Sequence, residues 1–400
     1  MQRPFFLLFL SVALLPVARA QDRLSGKNFA TRSEVLARHG MAATNHPLAT
    51  QVALDVLRRG GTAVDAAIAA NAFIGFADPA MNGLGGDLFA IVWDAGEKKL
   101  YGLNGSGRSP QSLPLDYFTS RNMSAIPAAG PLPVTVPGCV DAWYALHDRF
   151  GKLPVAELLA PTIAYAREGI PVAEEIAEMM AYLERNLLPS YASGGDLSFD
   201  DFPEFCRVYR RDGAFPKKGD IYANPDLANT LEIIARGGRD AFYRGPIAAA
   251  IAGYMRNHGG FLTEEDFAAH RSTWVDPVST NYRGYDVWEL PPNGQGISVL
   301  QMLNVLEGYD LARYGFGSVE HLHYFAEAKK LAYADRAKYY GDPGVNDLPV
   351  KMLLSKEYAA RRRALIRDDQ SGSYGPGLED GNHTIYLTVA DSDGNMVSLI

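Results

Sequence analysis

The chain has 400 residues, 47% apolar and 21% charged, an ordinary balance for a globular protein with a large core. Its formal net charge of −8 disfavours nucleic acid and anionic membrane as partners, because both require a basic face. The 8 histidines and the 2 cysteines, Cys139 and Cys206, follow no zinc or haem spacing, so neither metal nor cofactor is expected.

Met1-Gln2-Arg3 carries one positive charge, Phe5 to Leu15 is a short apolar run, and Val17-Ala18-Arg19-Ala20 is a small-x-small site. Residues 1–20 therefore read as a secretory signal peptide cleaved after Ala20, which makes the mature protein periplasmic or secreted. The run is shorter than the ~20 residues that cross a bilayer, and no later stretch is both long and apolar enough, so no membrane span is expected. In an oxidising compartment Cys139 and Cys206 could pair, but sequence leaves their separation open.

Leu48, Val52, Val56 and Leu57 recur at helical spacing from Pro47 to Arg59, and Gly60-Gly61 supply a stop. Thr62 can cap the next helix, Ala63 to Phe76, which is apolar all round and therefore central; Asp78-Pro79 ends it. Then follow Gly83-Leu84-Gly85-Gly86-Asp87, a strand Leu88–Trp93, a turn Asp94–Lys98, a strand Lys99–Asn104, and Gly105-Ser106-Gly107-Arg108-Ser109-Pro110. The glycines lie between a helix and a strand, the reverse of a phosphate loop, so a tight backbone approach inside a core is expected of them. Leu188 to Lys218 reads as an insertion, and no linker or repeat divides the rest. Val319 to Tyr339 reads as one helix, which turns His321 and His323 to different sides and argues against a shared metal.

The last predicted element is a hairpin: Thr384 to Asp391, a Ser392-Asp393-Gly394-Asn395 turn, and Met396 to Ile400. A strand opening on threonine suits an enzyme whose nucleophile becomes a new N-terminus. The hydroxyl attacks and the freed α-amine, which titrates near ~7.7–8, takes the proton. Threonine is also a common strand residue, so the hairpin by itself leaves both readings open. No Ser-His-Asp arrangement in a nucleophile-elbow context supports a serine hydrolase.

Motifs in one order along Gly40–Ile400 resemble the γ-glutamyltransferases of the N-terminal-nucleophile hydrolase superfamily. They are His46-Pro47-Leu48-Ala49-Thr50, Gly60-Gly61-Thr62-Ala63-Val64-Asp65, Gly83-Leu84-Gly85-Gly86-Asp87, Asn104 to Pro110, Asn224 to Leu231, Tyr282-Arg283-Gly284-Tyr285, Pro291-Pro292-Asn293-Gly294-Gln295-Gly296, Ala332 to Arg336 and Gly341-Asp342-Pro343. The resemblance implies an α+β, four-layer αββα sandwich and a precursor that cuts itself between His383 and Thr384. Residues 21–383 would be the large-subunit portion and 384–400 the start of a small subunit whose remainder would lie beyond Ile400. It implies that Thr384 is the nucleophile, rather than Thr388 deeper in the strand. Arg108 would bind the α-carboxylate of a γ-glutamyl group, for which a guanidinium fork is suited. The expected reaction is γ-glutamyl transfer or hydrolysis on glutathione-type amides, with water or an amino acid as acceptor and no cofactor. Thr384-Ile385-Tyr386-Leu387 departs from the familiar Thr-Thr-His-Tyr start, which leaves open an acylase acting on other dicarboxylic amides. A non-catalytic extracytoplasmic binding protein is the alternative from another class. As a fragment lacking its oxyanion donors, residues 21–400 alone would be expected to be inactive and poorly soluble.

Overall fold

The helix Ala63–Ala77 is apolar on every side, so it is stable only where other elements surround it. It occupies that place. Ile68, Phe73, Ile74 and Phe76 are fully buried, and each such side chain contributes ~1.5–3 kcal/mol. Thr62 and Asp65 form a capping box at its start, as the threonine led one to expect. The buried Asp65 side chain also accepts the backbone N–H groups of Lys152 and Leu153, so both its oxygens have partners.

This computed structural model describes residues 34–127, 129–187, 203–210, 212–345, 347–374 and 387–399. The expected signal peptide, most of the Leu188–Lys218 insertion, His383 and Thr384 lie outside the described residues. His39–Ile400 form one compact unit.

The described strands are β1 (Met41–Ala43), β2 (Phe89–Asp94), β3 (Lys99–Asn104), β4 (Ile170–Pro171), β5 (Ile221–Tyr222), β6 (Thr273–Val275), β7 (Val278–Tyr282), β8 (Tyr285–Glu289), β9 (Leu387–Ala390) and β10 (Met396–Leu399). A 6-stranded sheet runs in the order β1-β9-β10-β2-β3-β6, and β4-β5 and β7-β8 form 2-stranded sheets. The C-terminal hairpin β9–β10 is thus inserted between β1 and β2, antiparallel to both. Alternation along these strands sorts the two faces. Ala90, Val92, Val389, Val397 and Leu399 are buried in the main core, on the side of the helix Ala63–Ala77. The register joins Thr388, Ser398, Ile91 and Gly102 in one row on the opposite face.

That second face meets β8 at one end: a Cβ added at Gly102 would fall 2.5 Å from the Leu290 side chain. The helix Ile297–Leu306 packs on β7 and β8 and is itself covered by the helix Val319–Tyr339. The layers therefore run helices, sheet, sheet, helices, the αββα arrangement that the sequence motifs imply. The helix Val319–Tyr339 has the bounds expected for it. In it His321 accepts the Gly317 N–H, whereas the His323 ring lies against the Arg367 carbonyl. Cys139 and Cys206 are not joined; burial pushes the Cys139 thiol up, and it donates to Asn71 Oδ1 at 3.5 Å.

Candidate active site

Between the two sheets lies a cavity of about 1470 Å³. Ile91 and Ser398 of the large sheet, Trp288 and Glu289 of β8, and the helices Ile297–Leu306 and Val319–Tyr339 wall it. Its rim is the loop Gly83–Asp87. Here the structure corrects an expectation. Gly85 and Gly86 are exposed, and a Cβ added at Gly83 or Gly85 would meet nothing within 4 Å. The close approach is on the helix side, where a Cβ at Gly75 would stand 3.3 Å from Gly83 Cα. The loop serves instead as a hydrogen-bonding edge, since Gly86 O accepts the N–H groups of Gly138 and Cys139, both at 3.0 Å.

Against this rim lies the loop that carries Arg108. Its backbone is fixed by closely packed neighbours. Gly105 N donates to Leu88 O at 2.8 Å, Gly107 N to Asp87 Oδ1 at 2.9 Å, and Val136 N to Arg108 O at 3.0 Å. A Cβ at Gly107 would fall 1.8 Å from Val136 O, and one at Gly138 1.8 Å from Gly105 O, so both positions admit only glycine. Arg108 itself is exposed, and no described residue pairs with its guanidinium. It stands beside the cavity rather than in the wall, where its neighbour across the loop, Asp87, is found.

Beneath the loop is a buried ionic cluster. Asp141 accepts from Arg239 Nε and from Ser272 N, while Arg239 Nη2 donates to His270 O at 2.6 Å. Burial alone would raise the Asp141 carboxyl, but the bonds from Ser272 and Arg239 hold it below the usual range. Burial lowers His270 below its ordinary value, and Asp141 opposes this less than the burial and the Arg239 and Arg108 charges favour it. Neither ring nitrogen of His270 has a hydrogen-bond partner among the described residues. The ring lies under Gly138, stacked on Tyr243, with Nε2 3.9 Å from Asp141 Oδ2.

A second polar group ties the loop to the opposite layer. Asn293, between β8 and the helix Ile297–Leu306, accepts from Asn104 Nδ2 at 2.7 Å and donates to Ser106 Oγ at 2.9 Å. Ser106 also donates to Asn104 Oδ1 at 2.7 Å. Asp87, Asn104, Ser106 and Asn293 all fall within motifs of the sequence, yet no spacing rule assigned them a role; only folding brings their side chains around one loop.

Of the two residues expected to carry the chemistry, Arg108 is placed on this loop and Thr384 lies outside the described residues. Thr388 is inside β9, paired with Ala43 on one side and Ser398 on the other. Its strand ends in a turn closed by Asp391, whose carboxylate accepts from Asp393 N, Asn395 N and Asn395 Nδ2. Among the described residues no group of histidine, cysteine or carboxylate side chains is placed to hold a metal ion.

Comparison with known proteins agrees with this architecture. Residues 49–400 match the family described as Gamma-glutamyltranspeptidase. The chain is 37% identical over 364 residues to the glutathione hydrolase-like proenzyme of Bacillus subtilis, covering 90% of this chain and 66% of that protein. It is 32% identical over 380 residues to the glutathione hydrolase proenzyme of Escherichia coli, covering 91% of this chain and 63% of that protein. The crystal structure of a cephalosporin acylase from Bacillus halodurans superposes with a TM-score of 0.82 at 40% identity, over 94% of this chain and 67% of the other. The chain thus spans 66% and 63% of the length of these two curated relatives. With the family match running from residue 49 to residue 400 and the layers in the order found here, the chain belongs to the gamma-glutamyltranspeptidase family of N-terminal-nucleophile hydrolases.

Proposed function

We propose that the protein is an extracytoplasmic enzyme that transfers or hydrolyses γ-glutamyl groups of glutathione-type amides through a threonine acyl-enzyme. The precursor cuts itself between His383 and Thr384, and residues 21–383 form the large-subunit portion. The Thr384 hydroxyl attacks the acyl carbon, the freed α-amine accepts its proton, and water or an amino acid then releases the acyl group. Arg108 binds the carboxylate at the far end of the acyl chain. The observation that carries this reading is Arg108 itself: an exposed guanidinium without a described partner, on a loop locked by Gly107 and Gly138 at the rim of the inter-sheet cavity. An exposed arginine on a loop whose backbone is fixed in this way, with no described partner for its guanidinium, is suited to a carboxylate ligand. The relatives named as glutathione hydrolases support the chemistry.

A second reading is an acylase acting on another dicarboxylic amide. It is favoured by the 40% identity to the cephalosporin acylase from Bacillus halodurans. Secretion is supported by the charged start, apolar run and Ala18-Arg19-Ala20 site of residues 1–20. The test is expression of the complete gene. A denaturing gel should show two bands with the smaller starting at Thr384, sequencing should place the larger at Gln21, and the product should release aniline from a γ-glutamyl anilide. A single uncut band without turnover would favour a binding protein.

A further inference from the structure

The segment leading towards the expected cut is fastened to the helix Val319–Tyr339 at successive points. The His323 ring lies against the Arg367 carbonyl, and the Tyr324 hydroxyl donates to Asp368 Oδ1 at 3.0 Å. One turn further on, Glu327 is buried and both its oxygens are occupied. Oε1 accepts from Lys330 Nζ at 2.7 Å and from Ser371 Oγ at 3.2 Å. Oε2 accepts from Gly372 N at 2.9 Å and from the Tyr374 hydroxyl. Lys330 Nζ also donates to Gly372 O at 3.2 Å. Burial alone would raise the Glu327 carboxyl, but the bonds from Lys330, Tyr374 and Gly372 hold it down at about 2, so it is charged at neutral pH.

A buried ionic cluster is a weak source of stability compared with well-packed apolar groups. What this one fixes is position. The Tyr374 ring already packs on the small core of Val305, Leu306, Tyr324 and Leu331, and Glu327 adds a directional hold on its hydroxyl. The same helix presents Phe325, Lys329 and Tyr333 to the inter-sheet cavity, so the segment is held against an element that walls the cavity. The downstream flank is held by the sheet, where Leu387 pairs with Leu399. His383 and Thr384 fall in the sequence between these two fixed points. Resting on the reading above, we propose that Glu327 is a positioning residue for self-cleavage, holding the upstream flank of the scissile bond through Ser371, Gly372 and Tyr374. In that reaction Thr384 Oγ bonds to the His383 carbonyl carbon and the His383–Thr384 C–N bond breaks. The hydroxyl proton ends on the departing amine, and water then hydrolyses the ester to a carboxylic acid and the free hydroxyl.

Magnitudes separate a positioning role from a simple tether. Losing the Glu327 hold while keeping Asp368 lengthens the span to Leu387 by about half, which slows closure by only roughly twofold. Misplacement by ~1 Å costs up to ~100-fold. The precursor from the complete gene is therefore followed over time on a denaturing gel, as wild type and as Glu327→Gln, which keeps the volume and removes the charge. The variant should cut itself roughly tenfold or more slowly. Once cut, it should turn over γ-glutamyl anilide with kcat/KM within about twofold of wild type, because Glu327 acts before turnover. If Glu327→Gln does not fold, Tyr374→Phe, which keeps the ring and loses only the hydroxyl, should show the same split with a smaller slowing. Cleavage slowed by twofold or less would reduce the clamp to a tether and overturn the proposal. Equal losses in cleavage and turnover, with a lowered unfolding temperature, would make Glu327 a support of the fold and overturn it too. Either outcome leaves acyl transfer standing, whereas a wild-type precursor that never cuts itself would overturn the functional reading as well.

Discussion

The carboxylate of Asp391 accepts the backbone N–H of Ala63 at 3.2 Å, although 328 positions separate the two residues. Ala63 opens the central helix, and its N–H is one of the donors that a helix leaves without an internal partner. The same carboxylate closes the turn between β9 and β10 through Asp393 and Asn395. One side chain therefore builds the hairpin turn and anchors that hairpin to the helix on which the sheet packs. Asp391→Ala should lower stability by about 1–3 kcal/mol, because several donors lose their acceptor together. Asp391→Asn, which retains an acceptor but not the charge at the helix start, should lose less. Denaturant unfolding of the variants measures both, and equal losses would remove the charge from the explanation.

Asp78 gives a pH dependence of known sign. Burial, reinforced by Glu175 and opposed by the Asn45 amide, raises its carboxyl to about 6. A folded value above the unfolded one means that the folded state holds the proton more tightly. From roughly pH 4 upwards the unfolded carboxyl has already released its proton, so this group's contribution falls as pH rises towards 6. Asp78→Asn should therefore be more stable than wild type at neutral pH, with the difference vanishing near pH 4. Paired melting curves at these two values decide it, and a constant difference would locate the effect elsewhere.

In the proposed mechanism one hydroxyl serves both self-cleavage and turnover, so Thr384→Ala should abolish the two together. The variant should run as one band on a denaturing gel under conditions that split the wild-type precursor. A variant that still splits and still turns over substrate would move the nucleophile to another residue.

Arg108→Lys keeps a charge but loses the planar fork. Self-cleavage should proceed normally while KM for γ-glutamyl anilide rises by roughly tenfold, with kcat changing less. An unchanged KM would make the residue a surface feature of a glycine-rich turn.

Local chemistry was enough for the elements whose signals are self-contained. The Thr62 cap, the Gly60 stop and the unbroken apolar pattern gave the helix Ala63–Ala77 to within a residue, and the helix Val319–Tyr339 emerged with its bounds intact. The β9–β10 hairpin was legible because alternation and a Ser-Asp-Gly-Asn turn are both short-range. Its place between β1 and β2 was not, because strand order depends on contacts across hundreds of residues. The glycines of Gly83–Gly86 illustrate the limit most clearly. Composition says that side chains are absent but not why, and folding put open space beside Gly83 and Gly85 while reserving the tight contacts for Gly107 and Gly138.

The ordered motifs of the sequence pointed, through their resemblance, to the αββα fold and to the gamma-glutamyltranspeptidase family. They also singled out Arg108. Only the tertiary structure decided that Asp87 grips the loop before Arg108, that Asn293 reaches it from the opposite layer, and that the buried His270 lies beneath it. The physical reason is that periodicity and turn chemistry act over a few residues. The electrostatics of a site, by contrast, are set by groups distant in sequence that share one desolvated space.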